Sequence, residues 1–363
     1  MNRNTLLLAL LAMPALASAR VSPHQIELLA GDAPQIRVSG PWPNTCTPEL
    51  LPVYVEGSVI DIAVRQRDQI CGQAITQYSV TVDPTAASGF GQAPDGVYRV
   101  RFSVRDDASQ STLLGFRLLD LDATSSRRVR PEAGFWTADE AGEFRTPNGG
   151  LGLMIEHQGQ ALALTTNTYL LGGQPSWYLA AGALGRSVFN GELLQSIGGQ
   201  PWWGVSRGAQ SVNPVGTLGV EFQSSSTAVA WYAQASGEGI LDALELMPIS
   251  LKRMNFALPA DGAALAGSWS LVSLEPNSTR APLTLRLEYQ TDRIDVSLAV
   301  LNDRKSGHQL RCPLDPARRD AAPADCRLWL GGAELARFDD NALSRLSGRA
   351  SDGEALVLVR IGD

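Results

Sequence analysis

The sequence predicts an all-β protein, and three observations support this fold class. Apolar and polar side chains alternate along many short runs, most clearly at residues 98–105, as expected for strands with one face inward and one face in water. Turn-forming residues are plentiful, with 35 Gly and 21 Pro, which suits short strands joined by turns. No helical periodicity of useful length appears, and residues 241–247 could form either one short helix or a strand.

The first residues predict a signal peptide of the Sec type at residues 1–19. Arg3 supplies a positive start, residues 5–13 are apolar, and Ala17-Ser18-Ala19 fits the small-residue rule for cleavage. The alternative is an N-terminal membrane anchor, but the apolar stretch has only about half of the ~20 residues needed to span a bilayer. No Cys lies at the cleavage site, and no later stretch approaches a spanning length. We therefore expect a secreted or periplasmic protein without a lipid anchor, and no membrane span in the mature chain.

The four cysteines are expected to form two disulfides, as is usual for an even number of cysteines in an exported chain. Three pairings are open. Sequence separation favours Cys46–Cys71 and Cys312–Cys326, because each pair then falls within one predicted domain. Zinc is the alternative, but the spacings contain no C-x2-C element and His308 is the only His near a Cys. We therefore expect neither a metal site nor a cofactor.

Length and charge limit the domain count and the partners. Removing 19 of the 363 residues leaves 344, enough for two or three domains. The net charge is then about −8, from 37 acidic and 29 basic residues, because Arg3 leaves with the signal peptide. Such a balance argues against nucleic acid as a partner.

Residues 20–118 are predicted to form a β-sandwich. Apolar alternation recurs at residues 78–82, and turn residues separate such runs. Asp95-Gly96-Val97-Tyr98 is typical of a tyrosine corner, in which a Tyr hydroxyl binds the preceding loop. In this corner and in the separation of its two cysteines, the segment resembles immunoglobulin-like domains of exported proteins. It lacks the Trp that antibody-type domains carry between those cysteines.

Residues 119–132 are predicted to be a linker, because residues 125–131 are polar and basic and end in Pro. Residues 133–258 are predicted to form a β-meander, with a hairpin turn at Gln158-Gly159-Gln160. Such a meander is expected to close into an antiparallel barrel, because closure removes the exposed strand edges.

The same stretch resembles a β-rich module that recurs in exported proteins of gammaproteobacteria. The matching residues are Trp136, Gly150, Gly152, Ile155-Glu156, Gln158-Gly159, Tyr169, Gly173, Pro175, Trp177-Tyr178, Gly191 and Gly198-Gly199. That module has no established activity, so the resemblance implies export and a β-rich fold more than a function. This chain departs from it after Trp136, where the module has an Asn-Pro and a Ser-Gly and this chain has Thr137-Ala138-Asp139-Glu140 and a longer acidic loop.

Residues 259–363 are predicted to form a C-terminal β domain. Gly267-Ser268-Trp269 echoes Gly134-Phe135-Trp136, and a predicted hairpin follows each at a similar distance. This echo indicates a diverged repeat or a second barrel sheet. Residues 313–325 form a polar excursion that a disulfide at its base would stabilise by roughly 3 kcal/mol.

No residue is predicted to be catalytic. Ser206 lies in a G-x-S-x-G pattern, but a nucleophile elbow needs a helix after the Ser, and the following residues cannot form one. Of the three histidines, His24 is expected to be disordered near the mature N-terminus, His157 to lie at a hairpin tip and His308 in a turn.

One acidic loop is the remaining candidate for catalysis. Asp139, Glu140 and Glu143 crowd the chain after Trp136 and could supply the two carboxylates that glycoside hydrolysis requires. A solvated loop or a weak Ca2+ site is the more ordinary interpretation of such a cluster. A secreted hydrolase that uses this loop or Ser206 therefore stays an alternative hypothesis.

Aromatic residues of the middle segment give the functional prediction. Five of the eight tryptophans fall there, and Trp can stack its flat apolar face on sugars or apolar ligands while its N–H donates a hydrogen bond. The predicted ligand-binding residues are Trp136, Trp177, Tyr178, Trp202 and Trp203. The ordinary alternative is that these side chains fill a barrel core.

The sequence thus predicts an exported, non-catalytic binding module that recognises a surface, a glycan or an apolar ligand. Besides the hydrolase, a structural or adaptor protein of the cell envelope is an alternative, in which the sandwich edge recruits a strand of an envelope protein.

Overall fold

The structure is a computed structural model of the chain. It describes residues 21–31, 33–66, 70–93, 96–106, 110–121, 129–145, 151–169, 173–200, 203–205, 207–209, 211–254, 262–290, 297–315, 322–323 and 325–362. The predicted signal peptide, Asp95 of the predicted corner, half of the predicted linker (residues 122–128), Trp202 and Ser206 lie outside the described residues.

The all-β prediction is confirmed. The strands in chain order are β1 (Gln25–Leu29), β2 (Gln35–Trp42), β3 (Glu49–Leu50), β4 (Tyr54–Glu56), β5 (Val59–Arg65), β6 (Thr76–Val82), β7 (Val97–Arg105), β8 (Ser111–Asp120), β9 (Gly134–Ala138), β10 (Gly152–Gln158), β11 (Ala161–Tyr169), β12 (Pro175–Ala183), β13 (Val188–Ile197), β14 (Ser211–Phe222), β15 (Thr227–Ala235), β16 (Leu244–Arg253), β17 (Gly267–Ser273), β18 (Leu283–Tyr289), β19 (Leu298–Asn302), β20 (His308–Pro313), β21 (Cys326–Leu330), β22 (Ala333–Asn341), β23 (Arg345–Ala350) and β24 (Ala355–Gly362). Helical structure in the described residues is limited to two single 3-10 turns, Pro84–Ala86 and Ala263–Leu265. No helix in this part of the chain is long and apolar enough to cross a membrane.

The N-terminal module consists of two stacked sheets. One has the order β1-β2-β6, and the other has the order β3-β5-β7-β8 with β4 paired to β5. Side chains from both sheets, such as Trp42 and Phe102, share one buried core, as expected for face-to-face packing. The pairing of β5 with β7 is parallel, whereas both sheets of an immunoglobulin domain are antiparallel.

The hydrogen bond predicted for the tyrosine corner is confirmed. Tyr98 is buried, and its hydroxyl oxygen accepts the backbone N–H of Gly91 at 2.8 Å. The bond joins the start of β7 to the preceding loop. The predicted Cys46–Cys71 disulfide is also present in this module.

The first barrel is a closed meander of β9 to β16, and all its neighbouring strands are antiparallel. The second is a closed meander of β17 to β24. Its interior contains the predicted Cys312–Cys326 disulfide, and both cysteines are fully buried. The prediction of antiparallel barrels is therefore confirmed, and the echo of the Gly-x-Trp segment marks the first strand of each barrel.

The two barrels are closed by the same arrangement of side chains. The indole N–H of Trp136 donates to the Glu132 carbonyl at 3.0 Å, and that of Trp269 donates to the Leu265 carbonyl at 3.0 Å. An arginine on the last strand pairs with each Trp in the β-register, namely Arg253 in the first barrel and Arg360 in the second.

Each arginine donates to backbone carbonyls next to the first strand. Arg253 Nε lies 2.9 Å from the Ala133 oxygen, and Arg360 Nη2 lies 2.7 Å from the Ala266 oxygen. The guanidinium groups fill the space in front of Gly134 and Gly267, both of which have positive φ, and a Cβ atom at Gly134 would lie 2.5 Å from Arg253. A Cβ atom at Gly267 would lie 2.7 Å from the Gly362 carbonyl oxygen. The positive φ and the crowded space together favour Gly at both positions.

The modules contact one another through side chains. Strand β8 lies on the outer wall of the first barrel, where Leu118 packs near Trp231 and Asn190 bonds both the N–H and the carbonyl of Leu118. The two barrels meet through the end that contains Glu132, whose carboxylate accepts the Ser344 hydroxyl at 2.8 Å. We call this end of the first barrel the base.

Candidate ligand-binding surface on the first barrel

The opposite end of the first barrel is called the rim. It is the end where β9, β11, β13 and β15 finish and where β10, β12, β14 and β16 begin. Odd-numbered strands run from base to rim and even-numbered strands return, so residues late in β11 and early in β12 are neighbours there.

The described tryptophans divide sharply by exposure. Trp42, Trp136 and Trp269 are fully buried, and Trp231 is nearly so. Trp329 is partly buried, with the Arg311 guanidinium 4.9 Å from its ring centre. Trp177 is 47% exposed and Trp203 is 97% exposed. Both exposed rings belong to the rim end of the first barrel, so this end is the candidate site.

Strand pairing places a second aromatic ring beside Trp177. Trp177 lies opposite Asn167, and Tyr169 lies opposite Pro175. Alternate residues of a strand share a face, so Tyr169, Asn167 and Trp177 all point outward. Tyr169 is 59% exposed. As a diagonal pair, the two aromatic residues are separated by roughly 7–8 Å between Cα atoms.

A hydroxyl group flanks Trp177 on its other side. The pairing of Leu179 with Leu194 sets the register of β12 and β13, and continuing it places Ser196 beside Trp177. We define the platform as Asn167, Tyr169, Trp177 and Ser196. It therefore offers two aromatic faces together with one amide and one hydroxyl.

Among the described residues, the two rows of the wall next to the platform carry no charge. Two rows of outward-facing residues cross β10 to β14, namely Gly152, Asn167, Trp177, Ser196 and Val212, and Met154, Thr165, Leu179, Leu194 and Pro214. None of these residues is ionisable. Met154 and Val212 are about half exposed and extend the apolar part of the surface.

Inside the rim, the barrel is lined by uncharged polar groups. The hydroxyls of Thr166 and Tyr232 lie 3.0 Å apart, and Gln195 Nε2 donates to the Ser176 hydroxyl at 3.0 Å. Burial raises the pKa of Tyr232 to about 12, so its phenol is neutral at ordinary pH. Tyr178 also faces this interior.

The predicted ligand-binding residues therefore do not form one cluster. Trp136 lies at the base, fully buried, where its ring packs against Phe222, so it has no face for a ligand. Trp177 and Tyr178 are on opposite faces of the wall. Trp203 is exposed in the connection after β13, and its neighbour Trp202 lies outside the described residues.

The residues considered for catalysis have structural partners or lie apart. Asp139 is buried, and one of its carboxylate oxygens accepts the Ala141 N–H at 3.2 Å. Each of the three histidines is in a different module, and His308 Nδ1 lies 2.8 Å from the Ser306 hydroxyl in the second barrel. In the part of the chain that the structure describes, no three His, Cys, Asp or Glu side chains form a group that could hold a metal ion.

Asn167, Tyr169 and Ser196 are not among the ligand-binding residues that the sequence predicts, although Tyr169 belongs to the aromatic residues of the middle segment. The sequence does contain a signal for Tyr169. Tyr169 and Trp177 lie on either side of one turn, at sequence positions that place both side chains on the same face of a hairpin.

Comparison with protein-family models, with curated proteins and with solved structures found no match to this chain.

Proposed function

We propose that the protein is an exported, non-catalytic binding module and that the platform binds an uncharged glycan. The observation that carries this proposal is the position of Trp177 and Trp203. These are the two exposed tryptophans among the described residues, and both belong to the rim end of one barrel.

A glycan matches the mixture of groups on the platform. Aromatic rings stack on the apolar C–H face of a sugar, while amide and hydroxyl groups bond the hydroxyls at its edge. Asn167 lies between the two aromatic residues, and Ser196 lies next to Trp177. A purely apolar ligand would leave these two polar groups without partners, which is costly on binding.

Charge also favours a neutral ligand. The two rows of the wall contain no cation to pair with an acidic sugar or a phosphate, and the whole chain is acidic, with a formal net charge of −7. Anionic surfaces are repelled by such a charge. Neutral hexose or pentose polymers fit the platform better than acidic ones.

Export is part of the proposal. The sequence of residues 1–19 has the three regions of a signal peptide, and two disulfides are typical of oxidising compartments. We also propose an immunoglobulin-like relationship for the N-terminal module. The two stacked sheets and the Tyr98 corner support it, and the parallel β5–β7 pair is a departure from it.

The proposal is tested by titrating the protein with a panel of neutral and acidic oligosaccharides while recording intrinsic Trp fluorescence. Neutral glycans should quench the emission. Trp177→Ala and Tyr169→Ala should each weaken binding tenfold or more, which corresponds to about 1.4 kcal/mol.

The matched control is Tyr54→Ala, which removes an aromatic ring of similar exposure from the N-terminal module and should leave the dissociation constant unchanged. The proposal fails if no neutral glycan binds, or if Trp177→Ala binds as tightly as the wild type.

A further inference from the structure

Each of the two sheets of the N-terminal module is open at both sides, and three of the resulting edges are protected against pairing with a further strand. Strand β8 lies against the first barrel, where Asn190 bonds both the N–H and the carbonyl of Leu118. The opposite edge of that sheet is divided into β3 and β4, which have two and three residues and are separated by a segment that contains Pro52. Strand β1 has only five residues and carries the charged Glu27.

Strand β6, at the fourth edge, has none of these protections. It has seven residues, with neither a charged side chain nor a proline, and its register with β2 runs without a bulge. Its outer face presents Gln77, Ser79 and Thr81, which are uncharged and exposed. We call these three residues the edge row. An edge strand of this kind is open to pairing with another strand.

Two prolines show which backbone groups of β6 point away from β2. Opposite residues of an antiparallel pair are alternately bonded and not bonded to each other. Trp42 lies opposite Thr76, and its neighbours Pro41 and Pro43 have no N–H. The bonded pairs are therefore the ones in step with Trp42 and Thr76, and the N–H and C=O groups of the edge row point outward. Within the described part of the chain, these outward groups have no backbone partner.

The edge row is complementary to itself. When a second copy approaches antiparallel about a twofold axis at Ser79, Ser79 lies opposite Ser79 of the second copy, and Gln77 lies opposite Thr81. Each copy then directs three N–H donors and three carbonyl acceptors at the other, so six hydrogen bonds form across the axis.

Side chains on both faces of β6 match in the same register. On the outer face, Ser79 meets its own copy and Gln77 meets Thr81, so polar groups lie together. On the inner face, Tyr78 would pair with Val80, which is only partly buried in the single chain. Pairs of an aromatic and a β-branched residue are favourable across strands.

Charge favours a second copy over a charged partner segment. The whole chain has a formal net charge of −7, but β6 places no charge opposite a like charge when it pairs with itself. A strongly acidic or basic partner strand finds no opposite charge on β6.

We propose that β6 is a dimerisation edge, at which two copies of this chain join their three-stranded sheets into one continuous sheet of order β1-β2-β6-β6-β2-β1. Strand β1, at the other edge of the same sheet, packs beside β8 and therefore lies nearer to the first barrel. The barrel is thus on the far side of the module from the edge row. This inference does not depend on the proposed glycan platform, which lies on other strands.

The dimer is expected to dissociate on dilution. A single pair of strands buries less surface than the roughly 1,600 Å2 of a standard interface, and interfaces below about 1,200 Å2 are weak. A dissociation constant in the micromolar range is the expected result.

Sedimentation velocity at increasing protein concentration tests the dimer, and hydrogen exchange locates it. The fraction of dimer should rise with concentration. The amides of the edge row should exchange rapidly in dilute solution and become protected as the dimer forms. The amides of Tyr78 and Val80, which face β2, should be protected at every concentration.

Ser79→Pro is the sharpest variant. It removes the N–H at the twofold axis from both copies and leaves the pairing with β2 intact, because that N–H points outward. The dissociation constant of the dimer should rise roughly tenfold or more. Ser79→Lys places two ammonium groups opposite each other across the axis, and high salt should partly reverse its effect.

Gln25→Lys is the matched control, because it adds the same charge at an exposed position on β1, the other edge strand of the sheet. It should dimerise like the wild type. A wild-type protein that stays monomeric up to roughly 1 mM would overturn the proposal. So would a dimer whose edge-row amides exchange as fast as in the monomer, or one that neither Ser79→Pro nor Ser79→Lys weakens.

Discussion

The two barrels are alike at one end and different at the other. At the base of the first barrel and at the corresponding end of the second, a buried Trp, a positive-φ Gly and an Arg form the same closure. At the other end, the first barrel continues into long strands, of which β14 has 12 residues, whereas β19 and β21 of the second barrel have five each.

The interiors of the two barrels are also alike near the closed end and different towards the other end. The second barrel is filled by aliphatic side chains, the rings of Trp269 and Phe338 and a disulfide, and its fully buried leucines include Leu285, Leu301, Leu310, Leu328, Leu346, Leu356 and Leu358. The first barrel has an aliphatic and aromatic layer near its base and a polar layer of Thr166, Ser176 and Gln195 towards its rim. One packed layer is therefore enough to close such a barrel, and the strand length beyond this layer is available for binding.

Removing the tryptophans that close the two barrels should give the largest loss of stability. Trp136→Ala and Trp269→Ala each delete a fully buried ring and its hydrogen bond, so each should lower the free energy of unfolding by about 3–5 kcal/mol. Chemical denaturation of each single variant measures the loss. If one substitution lowers the free energy of unfolding by less than about 1 kcal/mol and the other does not, the same arrangement of side chains does not close both barrels.

Removing the second-barrel disulfide should have the next largest effect. Cys312→Ala with Cys326→Ala opens a cross-link of 14 residues, and the expected loss of stability is about 3 kcal/mol. Amide exchange should rise in β20 and β21 and stay unchanged in β9 to β16, because the first barrel contains no cysteine. The pair Cys46→Ala with Cys71→Ala is the matched control, and its effect should be confined to the N-terminal module.

Much of the fold could be predicted because its signal is local. Alternation predicted strands such as β7, and the Gly-x-Trp echo predicted a diverged repeat or a second barrel sheet, whose two copies the structure places at the first strand of each barrel. The Tyr98 hydrogen bond was predictable because the corner depends on a few adjacent residues. In each case the physical cause lies within one stretch of sequence.

The candidate site was only partly predictable, because it depends on register between strands. Trp177 was identified, but its neighbours Asn167 and Ser196 come from β11 and β13, and no local pattern specifies which residues lie opposite. Trp136 was predicted as a site residue on residue type, although it is buried against Phe222, more than 80 residues later in the chain. The prediction that His24 is disordered was wrong for the same reason. Its ring nitrogens contact Tyr78 and Ile240, which are both distant from it in sequence.

Arg253 and Arg360 should contribute unequally to the stability of the two barrels. Arg360→Met removes charge-assisted bonds to two carbonyls, at a cost of about 2 kcal/mol. Arg253→Met should cost more, because Glu132 lies 4.0 Å from Arg253 Nε and would lose its cation while half-buried. Thermal unfolding of the two variants measures the difference. Equal losses would mean that Glu132 contributes nothing to the closure of the first barrel.

The smallest loss of stability is expected for a substitution inside the rim of the first barrel. Tyr232→Phe removes the bond to the Thr166 hydroxyl, which is 1% exposed, so the loss near pH 7 should be about 1 kcal/mol. In the wild type, the raised pKa of Tyr232 means that its phenol stays protonated in the folded state while the unfolded chain ionises above pH 10. This contribution is therefore complete below about pH 10 and is lost as the pH rises towards 12.

The phenylalanine variant lacks this titration, so the stability difference between variant and wild type should shrink between pH 10 and 12. Urea denaturation at a series of pH values measures it. A difference that stays constant with pH would show that Tyr232 is as accessible to water as the unfolded chain. The polar rim would then be an open entrance rather than a second packed layer.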